Sequence, residues 1–245
     1  MAKLPDLFLD RTRVASVPAR RIRWKATYRL QSARHPPVAY FERIAGPDDQ
    51  RVLEDLESLT DPAARQAIGR ISLVPPSRRV FGAGASAVMG PFTHASKDNP
   101  SRFTDGSYGV YYAGSKFETA LREIAFHRGR FHAMTGDPPT KTTFKTIVAG
   151  INKMMHDIRK GDWADVLDPD PARYAKSQAL AAQLKGSGSN GVVYPGVRHS
   201  GGECLAAFWP NVPSSPTAGK RISIRWDGAA IVAWFDYETN EWANL

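Results

Sequence analysis

Cysteine is nearly missing from this chain: Cys204 is the only one in 245 residues. A single thiol excludes an intramolecular disulfide framework and any cysteine-rich zinc site. It stands in an apolar run, CLAAFW, and is expected to be a small buried core residue. Metal spacing is missing as well. The six histidines, at 35, 94, 127, 132, 156 and 199, form no H-E-x-x-H pattern, and His127 and His132, five apart, do not share a helix face. No G-x-S-x-G elbow is present, so serine hydrolase chemistry has no motif to rest on. No stretch is apolar for long enough to span a bilayer, and the N-terminus, MAKLPDLFLDRTRV, lacks the unbroken apolar run of an export signal. The expectation is a soluble, cytoplasmic protein without a metal and without a membrane partner.

One motif is present in letter only. Gly186-Ser187-Gly188-Ser189-Asn190-Gly191 matches G-x-G-x-x-G. The dinucleotide fingerprint needs a strand before it and a helix after it, so that pyrophosphate meets the helix N-terminus. Here a helical pattern precedes and a strand pattern follows, which makes the run a helix end and a turn.

What the chain has in excess is positive charge. Lys and Arg number 33 against 24 acidic residues, a net charge of +9. Such a balance favours an anionic partner: nucleic acid, a phosphorylated small molecule or an acidic protein. Charge alone does not choose among them. The 42% hydrophobic content is that of an ordinary globular protein with a substantial core.

Residues 1–21 read as a basic N-terminal arm, and 22–245 as one domain. Ile22–Leu30 alternates as a strand and carries Tyr28 and Arg29. Residues 47–68 are spaced as one or two helices, interrupted at Asp61-Pro62. Leu73–Asn99, with Pro75-Pro76, Gly82-Ala83-Gly84 and Gly90-Pro91, reads as a long ordered loop. Lys141–Ala149 reads as a strand and Pro171–Lys185 as a helix. Four short strands follow at Gly191–Tyr194, Glu203–Trp209, Lys220–Trp226 and Ala229–Phe235. Helices scattered among short strands, with few β-α-β units, predict an α+β fold.

The densest chemistry lies in Pro100–Phe131, PSRFTDGSYGVYYAGSKFETALREIAFHRGRF. It reads as turn, strand (Tyr108–Ala113) and helix, with Ser115 and Glu118 spaced as a capping box. At about 100° per residue, Phe117, Leu121, Ile124 and Ala125 form one apolar stripe, and Glu123 and His127 lie on nearly the opposite side. The core therefore does not explain Glu123. A solvated helix face is the plain alternative. Yet Tyr111 or Tyr112, on the strand leading into this helix, can stand near that face, and Arg102 is close in sequence. A carboxylate beside aromatic rings and arginines suits a reaction that develops positive charge on a sugar. A second stretch, NGVVYPGVRHSGGECLAAFWP (190–210), reads as a hairpin whose tip holds Gly196, Arg198, His199 and Ser200.

Taken together, Tyr28-Arg29-Leu30, SRFTDGSYGVYYAG, ALREIAFHR, GVVYPGVRHSGGECLAAFWP and ISIRWDG resemble the RES family, named for its Arg, Glu and Ser. The resemblance runs from about residue 22 to 235. It implies a compact single α+β domain with a split, mostly antiparallel sheet resembling the ADP-ribosyltransferase core. It implies a toxin of a toxin–antitoxin pair that consumes NAD⁺ as substrate by hydrolysis or phosphorolysis, without a metal. The implied partner is a cognate antitoxin with a helix-turn-helix, Xre-like domain, through which alone nucleic acid would be met. Transfer of ADP-ribose to a protein target is the alternative, and a basic nucleic-acid-binding module without catalysis is a second one. On that resemblance Arg29, Tyr112 and Glu123 are the catalytic set: Arg29 for the pyrophosphate, Tyr112 to stack on nicotinamide, Glu123 to stabilise the ribosyl cation. Tyr28, Arg102, Tyr111, His127, Arg198 and Ser200 are candidate binding residues. The chain departs from the family at Gly196, where a Ser commonly follows Tyr-Pro, and Ser200 is the nearest hydroxyl.

Overall fold

A computed structural model describes residues 11–33, 41–42, 66 and 68–245. The helices expected within 47–68 fall almost wholly outside the described residues. Helix α1, Arg11–Ala15, leads into strand β1, Ala19–Ser32. The strand thus begins three residues before the expected Ile22 and takes in Ala19-Arg20-Arg21.

Strand β3, Thr140–Asp157, is the axis of the sheet. Its 18 residues run twice as far as the pattern KTTFKTIVA suggests, because Gly150 and the polar Asn152 and Lys153 interrupt the alternation without ending the hydrogen bonding. One edge pairs antiparallel with β1 from Ala19↔His156 to Ser32↔Phe144. The other edge is shared. Its first part, Thr140 to Ile151, pairs antiparallel with β6 (Pro213–Trp226), and its end, His156–Asp157, pairs parallel with β4 (Gly191–Pro195).

From β4 the chain of pairings passes antiparallel to β5 (Glu203–Ala207), then to β2 (Tyr111–Gly114), and returns to β1 at Tyr28↔Gly114. Five strands therefore close on themselves through β3. The other three, β6, β7 (Ile231–Asp236) and β8 (Glu241–Asn244), extend outward as a meander. The fold is α+β with a split, eight-stranded, mostly antiparallel sheet. The final strand, β8, exposed at all four residues, was not expected from the pattern.

Two faces of β2, β4 and β5 are covered, which is why GVVYP and ECLAA read as unbroken apolar runs. Tyr111, Ala113, Val193, Leu205 and Ala207 point to one core, shared with helix α2 (Ala85–Thr93). Val192, Tyr194, Cys204 and Ala206 point to the opposite one, with helix α4 (Ala175–Gly186). Nine residues of the stretch expected as a loop thus form a mostly buried helix. Its Gly90-Pro91 pair disguises it, although Pro91 sits inside the helix and seven of the nine residues are buried.

Helix α3, Phe117–Thr135, packs Phe117 and Leu121 on Leu30, Phe144, Ile222 and Ile224, with Ile124 alongside, as its apolar stripe predicts. It starts one residue later than the capping box requires. Lys116 occupies the cap without a side-chain bond, and the Ser115 backbone N–H donates instead to Glu203 O at 2.8 Å. Pairing with β5 outcompetes the cap. Among the described residues no helix is long and apolar enough to cross a membrane.

Candidate active site

A cavity of about 280 Å³ opens where β1, β2 and α3 meet. Tyr28 and Arg29 enter it from β1, Tyr112 from β2, and Glu123 and His127 from α3. Arg102 enters from the turn before β2. The registers explain the meeting. Tyr28 pairs with Gly114, so β1 runs beside the end of β2, and the next residues are the first turn of α3.

Arg29 is the least satisfied charge in the cavity. Its Nη1 donates to Tyr112 O at 3.2 Å and its guanidinium lies 5.1 Å from the centre of the Tyr111 ring. Its Nε is buried without a partner. Burial pushes its pKa below the usual arginine value, and only the two tyrosines act against that shift. No carboxylate among the described residues pairs with it. A half-buried cation whose Nε is shut off from water in this way favours an anion brought from outside.

Glu123 is half-buried, and desolvation pushes its pKa above the ordinary glutamate value. Backbone donors and cations oppose that shift. The Arg198 N–H donates to Glu123 Oε1 at 3.3 Å, and Arg102 and Arg198 add favourable charge. Cys204 Sγ lies 3.9 Å from the same oxygen. Its thiol, buried beside a carboxylate, has its pKa pushed well up and stays protonated.

Tyr112 holds its hydroxyl against Ser101 Oγ at 2.8 Å and accepts from the Phe103 N–H at 2.9 Å. Its ring is stacked on Phe103, 6.5 Å between centroids. Desolvation pushes its pKa up to about 12, so the phenol remains neutral. Arg102 donates to Asp168 O at 2.8 Å and Tyr174 Oη at 3.2 Å, with its guanidinium 4.3 Å from the centre of the Tyr174 ring. Much of its bonding capacity therefore holds the wall. His127 is exposed at the cavity, and desolvation together with the charges of Arg198, Arg102 and Arg130 pushes its pKa below the usual histidine value.

Three sequence candidates do not line the cavity. Tyr111 lies one residue from Tyr112, so the two-residue period of the strand sends its fully buried ring to the opposite core, under Arg29. The Arg198 side chain turns outward, with its guanidinium 3.4 Å from the centre of the Phe126 ring and a bond to Pro169 O. What reaches Glu123 is its backbone. Ser200 is exposed on the turn. Conversely, Cys204, Tyr194, Ser101 and Tyr174 line the site and were not singled out. The strand ECLAA gives no hint which of its alternate residues faces Glu123 until the Gly114↔Cys204 register is known.

A family model described as RES, RES domain, matches residues 76–227. The chain belongs to the RES family. The matched segment of this RES domain carries Arg102, Tyr112, Glu123, His127 and the β4–β5 turn, but not Arg29, which β1 brings in by pairing with β3. None of the curated proteins matches the chain. Among solved structures it is similar to the M. tuberculosis MbcT–MbcA toxin–antitoxin complex, at 11% identity over 89% of this chain and 92% of that one, with a TM-score of 0.42. A likeness of that size carries no argument about this chain's chemistry. Among the described residues no group of three or more His, Cys, Asp and Glu is placed to hold a metal ion.

Proposed function

We propose that this RES-family protein consumes NAD⁺ by breaking the nicotinamide–ribose bond, and that it acts as the toxin of a toxin–antitoxin pair. The observation that carries the reading is the pairing of opposites in one cavity. A half-buried guanidinium with no carboxylate partner among the described residues, Arg29, shares the space with a half-buried carboxylate, Glu123, among aromatic walls. NAD⁺ has the complementary parts: a pyrophosphate, a flat aromatic ring and, between them, a ribose that becomes electron-poor as the bond breaks.

In this reading the bonding pair of the C–N bond leaves with the pyridine nitrogen, releasing neutral nicotinamide. The ribosyl C1 is left cationic, and the half-buried Glu123 carboxylate stabilises it. Water or phosphate then supplies the electron pair to C1, forming the C1–O bond, and its proton passes to bulk solvent. Arg29 donates to the pyrophosphate, satisfying its free Nε–H or outer nitrogens in a charge-assisted bond. Tyr112, held by Ser101 and Phe103, presents a ring rather than a hydroxyl and stacks on the nicotinamide. At about 280 Å³ the cavity is near the lower end of small-molecule sites, about 300–1,000 Å³, and suits the nicotinamide riboside end rather than the whole dinucleotide.

The antitoxin partner is proposed from family membership together with the +9 charge, which favours an acidic segment of that partner. Mass spectrometry of NAD⁺ incubated with the purified protein, with and without phosphate, tests the reaction. Free ADP-ribose or its phosphorylated form supports degradation. Label from NAD⁺ on a protein instead would make the enzyme a mono-ADP-ribosyltransferase, and intact NAD⁺ would overturn the reading.

A further inference from the structure

Thr119, Glu123, Phe126 and His127 follow one another at i, i+4, i+7 and i+8 and form a single stripe along α3. Against this stripe lies the turn between β4 and β5, residues 196–202. The turn closes on itself through Gly196 N–H to Gly202 O at 2.7 Å and Gly202 N–H to His199 O at 2.9 Å. It is joined to the helix by a hydrogen bond of 2.9 Å between His199 Nδ1 and Thr119 Oγ1, one helical turn before Glu123. The next residue back, Arg198, donates its backbone N–H to Glu123.

We propose that His199 is a positioning residue for Glu123: its bond to Thr119 seats the turn so that the Arg198 N–H holds the carboxylate facing the cavity. The inference rests on the NAD⁺-cleaving reading above for its consequence on turnover, but not for its geometry.

Independent packing supports it. A Cβ at Gly202 would come within 2.7 Å of Thr119 Oγ1 and 2.8 Å of His199 Nδ1, so the position must be glycine for the bond to form. A Cβ at Gly196 would stand 3.1 Å from His199 O and 3.3 Å from Thr119 Cγ2. That is tighter than ordinary contact, so a side chain here would require its neighbours in the turn to give by a few tenths of an ångström. The Arg198 side chain, over Phe126 and bonded to Pro169 O, anchors the outer end of the same turn.

The groups facing Glu123 are Arg102 from the turn before β2, Arg198 from the 196–202 turn, Tyr194 and Cys204 from β4 and β5, and His127 from its own helix. Replacing His199 removes none of these side chains. Loss of the seated amide leaves the carboxylate less stabilised, which raises its pKa and turns it away from the ribose.

The test compares His199→Ala and Thr119→Val with His199→Asn and Thr119→Ser, which keep a polar atom at each end of the bond. The first pair should lower kcat about tenfold or more with KM little changed, since misplacing a catalytic group by about 1 Å has effects of that order or larger. The second pair should recover most of the loss. In parallel, the Glu123 carboxyl is followed by ¹³C NMR through a pH titration, with folding checked by circular dichroism. It should titrate at higher pH in the first pair than in wild type, and return in the second. A shift shared equally by His199→Asn and His199→Ala would mean that the bond to Thr119 does not set it, and would overturn the inference. An unchanged titration and kcat in His199→Ala would overturn it too. If wild type leaves NAD⁺ intact, the reaction reading fails while the titration still decides the positioning role.

Discussion

Arg29 and Glu123 share a cavity without neutralising each other. Among the described residues, the charges that act on Glu123 come from Arg102 and Arg198, and the side chains acting on Arg29 in its favour are Tyr111 and Tyr112. Two opposite charges kept apart in a half-buried space are poor for stability, since each bears its own desolvation. The arrangement is suited to a ligand that brings an anion to one end and a developing cation to the other.

Glu123→Gln is expected to abolish NAD⁺ consumption, by about a hundredfold or more, because a group that stabilises transition-state charge typically contributes that much. The variant should fold normally. Turnover at the wild-type rate, measured by mass spectrometry on protein with an unchanged circular dichroism spectrum, would remove Glu123 from the mechanism.

Arg29→Met should weaken substrate binding about ten- to a hundredfold, the range for a lost hydrogen bond to a charged group of about 1.5–3 kcal/mol. Its melting temperature should stay level or rise, because a half-buried cation with no carboxylate partner among the described residues is replaced by an apolar chain of similar length. Inorganic pyrophosphate should inhibit wild type and lose that effect on the variant. A sharp fall in melting temperature would mean Arg29 is a structural support.

The acid limb of kcat/KM should lie above the unperturbed glutamate value of about 4.3, since the Glu123 pKa is raised by burial and the ionised form is the active one. The sign for stability is opposite. The folded state holds this proton to higher pH than the unfolded chain does, so this group's contribution to stability declines as pH rises from the unfolded value through the folded one. Glu123→Gln should therefore flatten the limb and remove that decline. Calorimetric melting of both proteins across this range measures it.

Cys204 should react with iodoacetamide on the order of a hundredfold more slowly than a free thiol at pH 8, because burial and Glu123 keep it protonated. Denaturant should restore full labelling, read by intact mass. Rapid labelling of the folded protein would mean that the cavity wall at β5 opens in solution.

Phe103→Ala should lower stability by about 3–5 kcal/mol, the usual range for a truncated buried phenylalanine. The residue is fully buried, and its ring touches both Tyr112 and Tyr194. Chemical denaturation measures the loss, and Phe103→Leu should recover much of it.

Local alternation and periodicity determined a good deal on their own. The α+β class, the strand carrying Arg29, the helix of Phe117–Thr135 and the side of that helix on which Glu123 stands are all properties of near neighbours. They survive in any context that buries the apolar stripe. The buried helix Ala85–Thr93 escaped the same reading because it is apolar nearly all round and contains a proline, so no period shows.

Tertiary structure alone decided what meets what. Arg29 bonds a residue 83 positions away, Thr119 one 80 away, and Glu123 lies beside a thiol 81 away. Those meetings follow from strand register and from β3 changing partners along one edge. A shift of one residue would exchange Tyr112 for Tyr111 in the cavity, since successive side chains of a strand face opposite ways. Register is set by the summed packing of both cores, and no single stretch of sequence contains that sum.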